Sequence, residues 1–206
     1  MTTAFDLGET RPSGRREAYL DGLLELAIGG LLFIVALATG RPAFYWTYLI
    51  AILILGPGLR RLKAHYTYPR IGYVRFPSDD PRSVRKGVTS WVLGVFVLVA
   101  VALTLSGHFA DRLAWRRAAP AMAGLMFAGG FLYLARQSHL ARHYVLAAAS
   151  ALLGILLVWP TMEGAYGNLR VWAIMMALLS LVVGADVLRR FVRDHPRVED
   201  RMPDVR

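Results

Sequence analysis

Cysteine is absent from this chain of 206 residues. Its absence excludes a disulfide framework, a thiolate metal site and a cysteine nucleophile. The redox character of the compartment in which the chain folds stays open, since a chain without cysteine is compatible with an oxidising or a reducing environment.

Recognisable catalytic motifs are also missing from the sequence. The chain has no phosphate-binding loop, nucleophile elbow, His-Glu-x-x-His pair or dinucleotide fingerprint. Ser106, His108 and Asp111 supply the residue types of a hydrolytic triad, but they lie within six positions of one another and that spacing is not diagnostic. We therefore assign no catalytic residue from the sequence, and we expect no cofactor and no bound metal.

Charged residues make up only 18% of the chain, against 56% hydrophobic residues and a mean hydropathy of +0.43. This composition is too apolar for an ordinary soluble domain and predicts an all-α integral membrane protein. The formal net charge is +10. Because the arginines flank apolar runs, where cytoplasmic anchoring needs cations, we expect no nucleic-acid binding.

Six apolar segments are long enough to be transmembrane helices, which need about 20 residues each. They lie at about 20–39, 43–59, 88–106, 119–135, 143–160 and 170–188. The second is short, and we interpret Gly56-Pro57-Gly58 as its cytoplasmic end, because proline removes a backbone donor and glycine relaxes the backbone. The sequence thus predicts a polytopic helical bundle over 19–190, with polar tails at 1–18 and 191–206.

The distribution of lysine and arginine predicts the orientation of the bundle. With the N-terminus in the cytoplasm, 19 of the 24 basic residues fall on the cytoplasmic side. Both termini are therefore predicted to be cytoplasmic, in a multi-pass protein of the cell membrane. Aromatic residues agree with this orientation, since they mark both predicted boundaries. Trp91 and Tyr144 fall at the inner boundary, and seven fall at the outer one: Phe44, Tyr45, Trp46, Trp115, Trp159, Tyr166 and Trp172.

A cleavable signal peptide is an alternative interpretation of the first apolar run. Three arginines precede it, and Ala36-Leu37-Ala38 near its end imitates a cleavage site. Asp21 and Glu25 within the run are unlike the core of a signal peptide, so an uncleaved first span is the simpler reading.

Carboxylates inside or near the predicted spans are candidates for function, because unpaired charge in a membrane is costly. Asp21 and Glu25 are four residues apart, so on a helix they share a face near the cytoplasmic end of the first span. They indicate either a cation or proton site or a charge pair favoured by the helix macrodipole. Asp186 lies at the same level of the last span, and we expect these three carboxylates to converge with Arg136 or Arg85.

His139 and His143 are four residues apart and would share a face of a continuous helix. This spacing is used by paired histidine metal ligands, but no glutamate follows His139 and Arg142 between them repels cations. We interpret both as interfacial histidines and include His139 with the polar residues of the cytoplasmic side.

Small residues recur in several predicted spans, and they permit close helix approach. They serve either internal packing, which we favour, or a homo-oligomer contact. The positions are Gly29, Gly30, Gly129, Gly130, Ser150, Gly154, Ser180 and Gly184.

The connection 60–87 carries eight basic residues and a series of tyrosines. Two proline stops argue against a continuous helix, and we expect an extended piece over 70–76. Its cations either fix the topology alone or bind anionic lipid headgroups, for which interfacial tyrosines are well suited. The residues that we assign to this lipid interface are Tyr66, Tyr68, Arg70, Tyr73 and Arg75.

Two motifs carry a resemblance to a group of uncharacterised bacterial and archaeal multi-span proteins. The first is Tyr19-Leu20-Asp21-Gly22-Leu23-Leu24-Glu25, followed by a glycine-bearing span, and the second is Tyr68-Pro69-Arg70-Ile71-Gly72-Tyr73-Val74. Together with the spans between them they cover about the first third of the chain. The resemblance implies a membrane-protein family and supplies no catalytic residue.

The clustering of unusual polar residues on one side predicts a small membrane module that acts at the cytoplasmic face. It would bind a lipid, a protein partner or a small solute there. A small transporter or channel subunit is the first alternative, and a membrane enzyme acting on a lipid-linked substrate is the second. The expected partners are anionic lipid headgroups and a possible second copy of the chain.

Overall fold

The computed structural model describes residues 19–39, 45–71, 81–105, 111–159 and 166–196. Within these ranges the chain is helical and has no strand, so the predicted all-α class is confirmed. The helices are α1 Leu23–Ala38, α2 Tyr45–Tyr66, α3 Tyr68–Ile71, α4 Pro81–Leu105, α5 Arg112–Ser138, α6 Ala141–Leu156 and α7 Gly167–Asp194.

Each of the six predicted apolar segments falls on a helix. Two stretches, Leu113–Ser138 and Gly167–Asp194, are long and apolar enough to cross a membrane by length and composition. α1 and α6 are also apolar but have 16 residues each, which gives a length of about 24 Å at 1.5 Å per residue. The number of spans therefore stays a prediction.

The helix does not end at Gly56-Pro57-Gly58, and the cytoplasmic end of the second span there stays a prediction. α2 passes through Pro57 and ends at Tyr66, and α4 begins at Pro81, earlier than expected. A proline removes one backbone donor, and the helix continues here despite that loss. Residues 70 and 71 belong to the short helix α3 rather than to an extended piece, and 72–76 lie outside the described residues.

A two-residue turn joins α5 to α6 and makes them an antiparallel pair. Asp111 caps the start of α5, where its Oδ1 accepts a hydrogen bond of 2.8 Å from the Leu113 backbone N–H. His139 ends α5 in the left-handed conformation, with φ of 53°, and its N–H donates to the Ala135 carbonyl at 2.8 Å. Because the turn is this short, residues at the end of α5 and the start of α6 lie side by side.

Packing is most extensive between α5 and α6 and between α1 and α7, with α2 against α1 and α4 against α5. The buried core comes from α1, α5, α6 and α7. Trp172 lies in this core, 1% exposed, and donates from Nε1 to the Ser150 carbonyl at 3.2 Å. Its predicted place in an aromatic belt is therefore wrong. The core residues are Leu32, Ala36, Ala128, Phe131, Leu146, Ala147, Leu157, Trp172, Ala173, Met176 and Ala177.

Glycines bring two helix pairs into close contact. A methyl group at Gly22 would lie 2.5 Å from the Gly184 carbonyl oxygen, and one at Gly154 would lie 2.6 Å from the Pro120 carbonyl oxygen. Gly22 also has φ of 69°, which side chains other than glycine adopt at a cost. Gly154 and Gly184 thus serve packing within the chain, whereas Gly30 and Gly130 face open space.

Candidate polar site at one end of the bundle

Four helix ends meet at one end of the bundle, which we call the polar end. α1 begins here, α2 ends here, the α5–α6 turn lies here, and the Gly22–Gly184 contact brings the last turns of α7 alongside. Buried and partly buried polar side chains from these elements form a cluster that we call the polar site. Its members are Tyr19, Asp21, Glu25, Lys63, Thr67, Ser138, Arg142 and His143.

Glu25 lies at the centre of the polar site and is 1% exposed. Its Oε1 accepts a hydrogen bond of 2.5 Å from Arg142 Nε and lies 2.9 Å from His143 Nε2. Arg142 also donates from Nη2 to the Tyr19 carbonyl. A buried carboxylate is tolerated when a cation and hydrogen-bond donors compensate it, and Arg142 supplies both.

The second ring nitrogen of His143 makes a further polar contact on the side away from Glu25. Its Nδ1 lies 2.7 Å from Ser138 Oγ, and Ser138 Oγ lies 2.7 Å from the Leu134 carbonyl one turn earlier on α5. Ser138 and His143 are both fully buried. The Tyr19 ring meets the imidazole edge-on, with 6.3 Å between ring centroids. Ser138, His143 and Glu25 therefore form one continuous chain of polar contacts.

Asp21 forms the second half of the polar site and is also fully buried. Its Oδ1 accepts from the Leu23 backbone N–H at 3.2 Å, and its Oδ2 accepts from Thr67 Oγ1 at 2.8 Å. Lys63 Nζ lies 3.7 Å from Oδ2 and 5.6 Å from the centroid of the Tyr19 ring. The two halves of the site thus meet at Tyr19.

Asp21 and Glu25 occupy the site as the sequence suggested, but Asp186 and Arg136 do not join them. Asp186 forms an ion pair with Arg190, 2.8 Å between Oδ2 and Nη2, and its side chain is 52% exposed. The reason is helix geometry, since Gly184 faces α1 and a residue two positions later points about 200° around the helix. Arg136 is exposed on α5 and Arg85 is exposed on α4.

The predicted helical face shared by His139 and His143 is also wrong. His139 is exposed and lies in the α5–α6 turn, so the helix is interrupted between the two residues. Among the described residues, no group of three or more His, Cys, Asp or Glu side chains could hold a metal ion.

Of the predicted lipid-interface residues, those that the structure describes lie at the polar end of the bundle. Tyr66 is exposed at the end of α2, and Arg70 donates from Nη1 to the Tyr66 carbonyl at 3.3 Å. Tyr68 begins α3 and is half-buried. Tyr73 and Arg75 lie outside the described residues.

Lys63, Thr67, Ser138 and the roles of Arg142 and His143 were missed by sequence reasoning. Glu25 and Arg142 are 117 positions apart, so no local spacing connects them. The usable signal was Arg142-His143 itself, a basic dipeptide directly before an apolar run, at the same predicted membrane level as Glu25.

The arrangement can hold charge and protons away from solvent. Ser138, His143 and Glu25 have the residue types of a hydrolytic triad, but Ser138 Oγ is buried against its own helix, so no substrate reaches it in this conformation. No protein-family model, curated protein or solved structure matches the chain. The family resemblance of the two motifs stays a prediction.

Proposed function

We propose that the chain is a six-span protein of the cell membrane, with both termini in the cytoplasm, that binds anionic lipid headgroups at the polar end. The observation that carries this proposal is the last part of α2. Arg60 and Arg61 are exposed there beside the exposed side chains of Leu62 and Tyr66. Cations next to apolar and aromatic side chains suit the boundary between headgroups and acyl chains.

Lys63 gives this basic surface a fixed position. It lies on the same helical stretch, and its contact with buried Asp21 holds the end of α2 against the start of α1. Arg60 and Arg61 are thereby presented outward on an anchored helix. Each cation near an anionic leaflet contributes about 1 kcal/mol, so the arginine pair would favour an anionic over a neutral lipid by about 2 kcal/mol.

Retention of lipid by the purified protein tests the proposal. The full chain in detergent micelles is given phosphatidylglycerol or phosphatidylcholine, and native mass spectrometry counts the lipids that remain bound. We expect the Arg60→Ala/Arg61→Ala variant to retain several-fold less phosphatidylglycerol, with little change for phosphatidylcholine. Because Arg116 and Arg117 form an exposed pair at the other end of α5, Arg116→Ala/Arg117→Ala is the matched control. Equal losses for both variants would contradict a site at the polar end.

The same two arginine pairs report the orientation of the chain. Since the protein has no cysteine, Arg61→Cys and Arg117→Cys each introduce a single thiol. A membrane-impermeant maleimide should label the first thiol in inverted membrane vesicles and the second in intact cells. The unmodified protein is the blank, and labelling of both thiols from one side would refute the predicted topology.

A further inference from the structure

We propose that Ser138, His143 and Glu25 form a binding site for one proton. This inference is independent of lipid binding and starts from the contacts of the Ser138 hydroxyl. Its oxygen lies 2.7 Å from two groups that can each accept a hydrogen bond, His143 Nδ1 and the Leu134 carbonyl. A serine hydroxyl has one hydrogen, so it donates to only one of them at a time.

In the first state the hydroxyl donates to His143 Nδ1. The neutral imidazole then carries its hydrogen on Nε2 and donates to Glu25 Oε1, 2.9 Å away. Every contact of the imidazole is satisfied in this state, and the charge of Glu25 is balanced by Arg142.

In the second state one proton has entered from solvent and forms an N–H bond at Nδ1. The Ser138 hydroxyl rotates so that it donates to the Leu134 carbonyl, and its oxygen now accepts from Nδ1. Nε2 still donates to Glu25, so the imidazolium lies between a serine oxygen and a carboxylate. The site therefore accommodates both protonation states through rotation of one hydroxyl group. Only the hydroxyl hydrogen changes position, and the heavy atoms stay in place.

Burial limits the ligand to something very small. Ser138 and His143 are fully buried, and Glu25 is 1% exposed. Glu25 Oε2 is likewise buried and has no hydrogen-bond partner among the described residues, so the carboxylate has spare capacity to stabilise a positive charge on His143. A proton needs no space, and the route from solvent is short because the adjoining Arg142 side chain is 18% exposed.

Groups from each packed element define the charge around the imidazole. Arg142 on α6 and Glu25 on α1 form the nearest pair, Asp21 and Lys63 form the second, and Tyr19 lies between the pairs. Each pair joins one cation to one anion, so the groups around the imidazole carry no net charge when His143 is neutral. Proton uptake adds one positive charge where α1 meets the α5–α6 turn.

Side-chain NMR of the full chain, with 15N-labelled histidine in detergent micelles, tests the site. Spectra from about pH 5 to about pH 9 span the ordinary titration range of histidine, and the His143 signals are identified by their loss in His143→Gln. At high pH we expect a single neutral tautomer with hydrogen on Nε2, and at low pH hydrogen on both nitrogens. A His143 signal that keeps one protonation state throughout would overturn the proposal.

Two variants with one control show whether the chain of contacts is responsible. Ser138→Ala leaves Glu25 as the acceptor of Nε2–H, so the hydrogen should stay on Nε2, while the 15N signal of Nδ1 should move because its hydrogen bond with Ser138 is lost. Glu25→Gln replaces the carboxylate by an amide that can accept or donate, so the neutral imidazole should no longer be held as the Nε2–H tautomer alone. His139→Gln removes the exposed histidine of the same turn and should change neither signal. If Glu25→Gln does not fold, the Nδ1 signal in Ser138→Ala decides alone, and an Nδ1 signal that does not change there would refute the site.

Discussion

The described polar side chains at the two ends of the bundle have different kinds of partner. At the end opposite the polar end, Asp111 caps its own helix, and Asn168 donates from Nδ2 to the Leu157 carbonyl at 2.7 Å. These contacts join residues near in sequence and bury no charge, since Asp111 is exposed. At the polar end, Glu25 is buried and its partner Arg142 lies 117 positions away.

This contrast shows what a buried charge requires in this fold. Desolvating a carboxylate costs several kcal/mol, and only a partner held at hydrogen-bond distance offsets that cost. The polar end supplies such partners because α1, α2 and the α5–α6 turn converge there. At the other end, the described side chains of Asp111 and Asn168 are paired with backbone groups, which local geometry provides.

Removing Glu25 should break the contrast most severely. Glu25→Ala removes the carboxylate that accepts from Arg142 and His143, and we expect a loss of about 3–5 kcal/mol in the free energy of unfolding. At the other end, Asn168→Ala removes the donor to the Leu157 carbonyl, with an expected loss of about 1–3 kcal/mol. Unfolding by sodium dodecyl sulfate titration in mixed micelles measures both. Equal losses for Glu25→Ala and Asn168→Ala would mean that the contacts of Glu25 with Arg142 and His143 stabilise the fold no more than the neutral contact of Asn168 does.

Glycine replacements should sharpen the same contrast at the level of the backbone. Gly22→Ala at the polar end combines a left-handed conformation with a methyl group 2.5 Å from the Gly184 carbonyl oxygen, so we expect a loss of about 2–4 kcal/mol. Gly154→Ala has the steric overlap alone, and about 1–3 kcal/mol is expected. The same titration measures both values.

Gly30→Ala is the control for these replacements. It lies on α1 with open space around it, and the better helix propensity of alanine should leave stability unchanged or slightly higher. A loss at Gly30 comparable to that at Gly22 would show that a surface outside the described residues packs against this face.

The sequence was sufficient to predict the six long helices, but it predicted the members of the polar site only in part. Apolar runs located six helices, because a run of this length and composition has few other structures open to it. The burial cost of a carboxylate marked Asp21 and Glu25 as unusual. The same reasoning also selected Asp186, which turned out to be exposed, since composition does not say which way a helix faces.

Partners in the polar site were beyond sequence reasoning for a physical reason. Lys63 lies past Pro57, where the helix was expected to end, so its place in the last turn of α2 depended on a helix that tolerates proline. Arg142 and His143 reach Glu25 because the start of α6 lies beside the start of α1 in the folded chain. Which helices become neighbours is a tertiary property, and the chain pattern alone leaves it open.

Asp186 gives the smallest expected effect, and the comparison with Asp21 explains why. Both are single carboxylates at the same predicted membrane level, but Asp186 and Arg190 are exposed, with side chains 52% and 67% accessible. An exposed pair four residues apart on a helix contributes about 0.3–0.5 kcal/mol, so Asp186→Asn should lower the free energy of unfolding by no more than that. Asp21→Asn removes the charge opposite Lys63 in a buried site and should cost about 1–3 kcal/mol. A loss above about 1 kcal/mol for Asp186→Asn would contradict its exposure and indicate that another surface, such as a second copy of the chain, covers this face of α7.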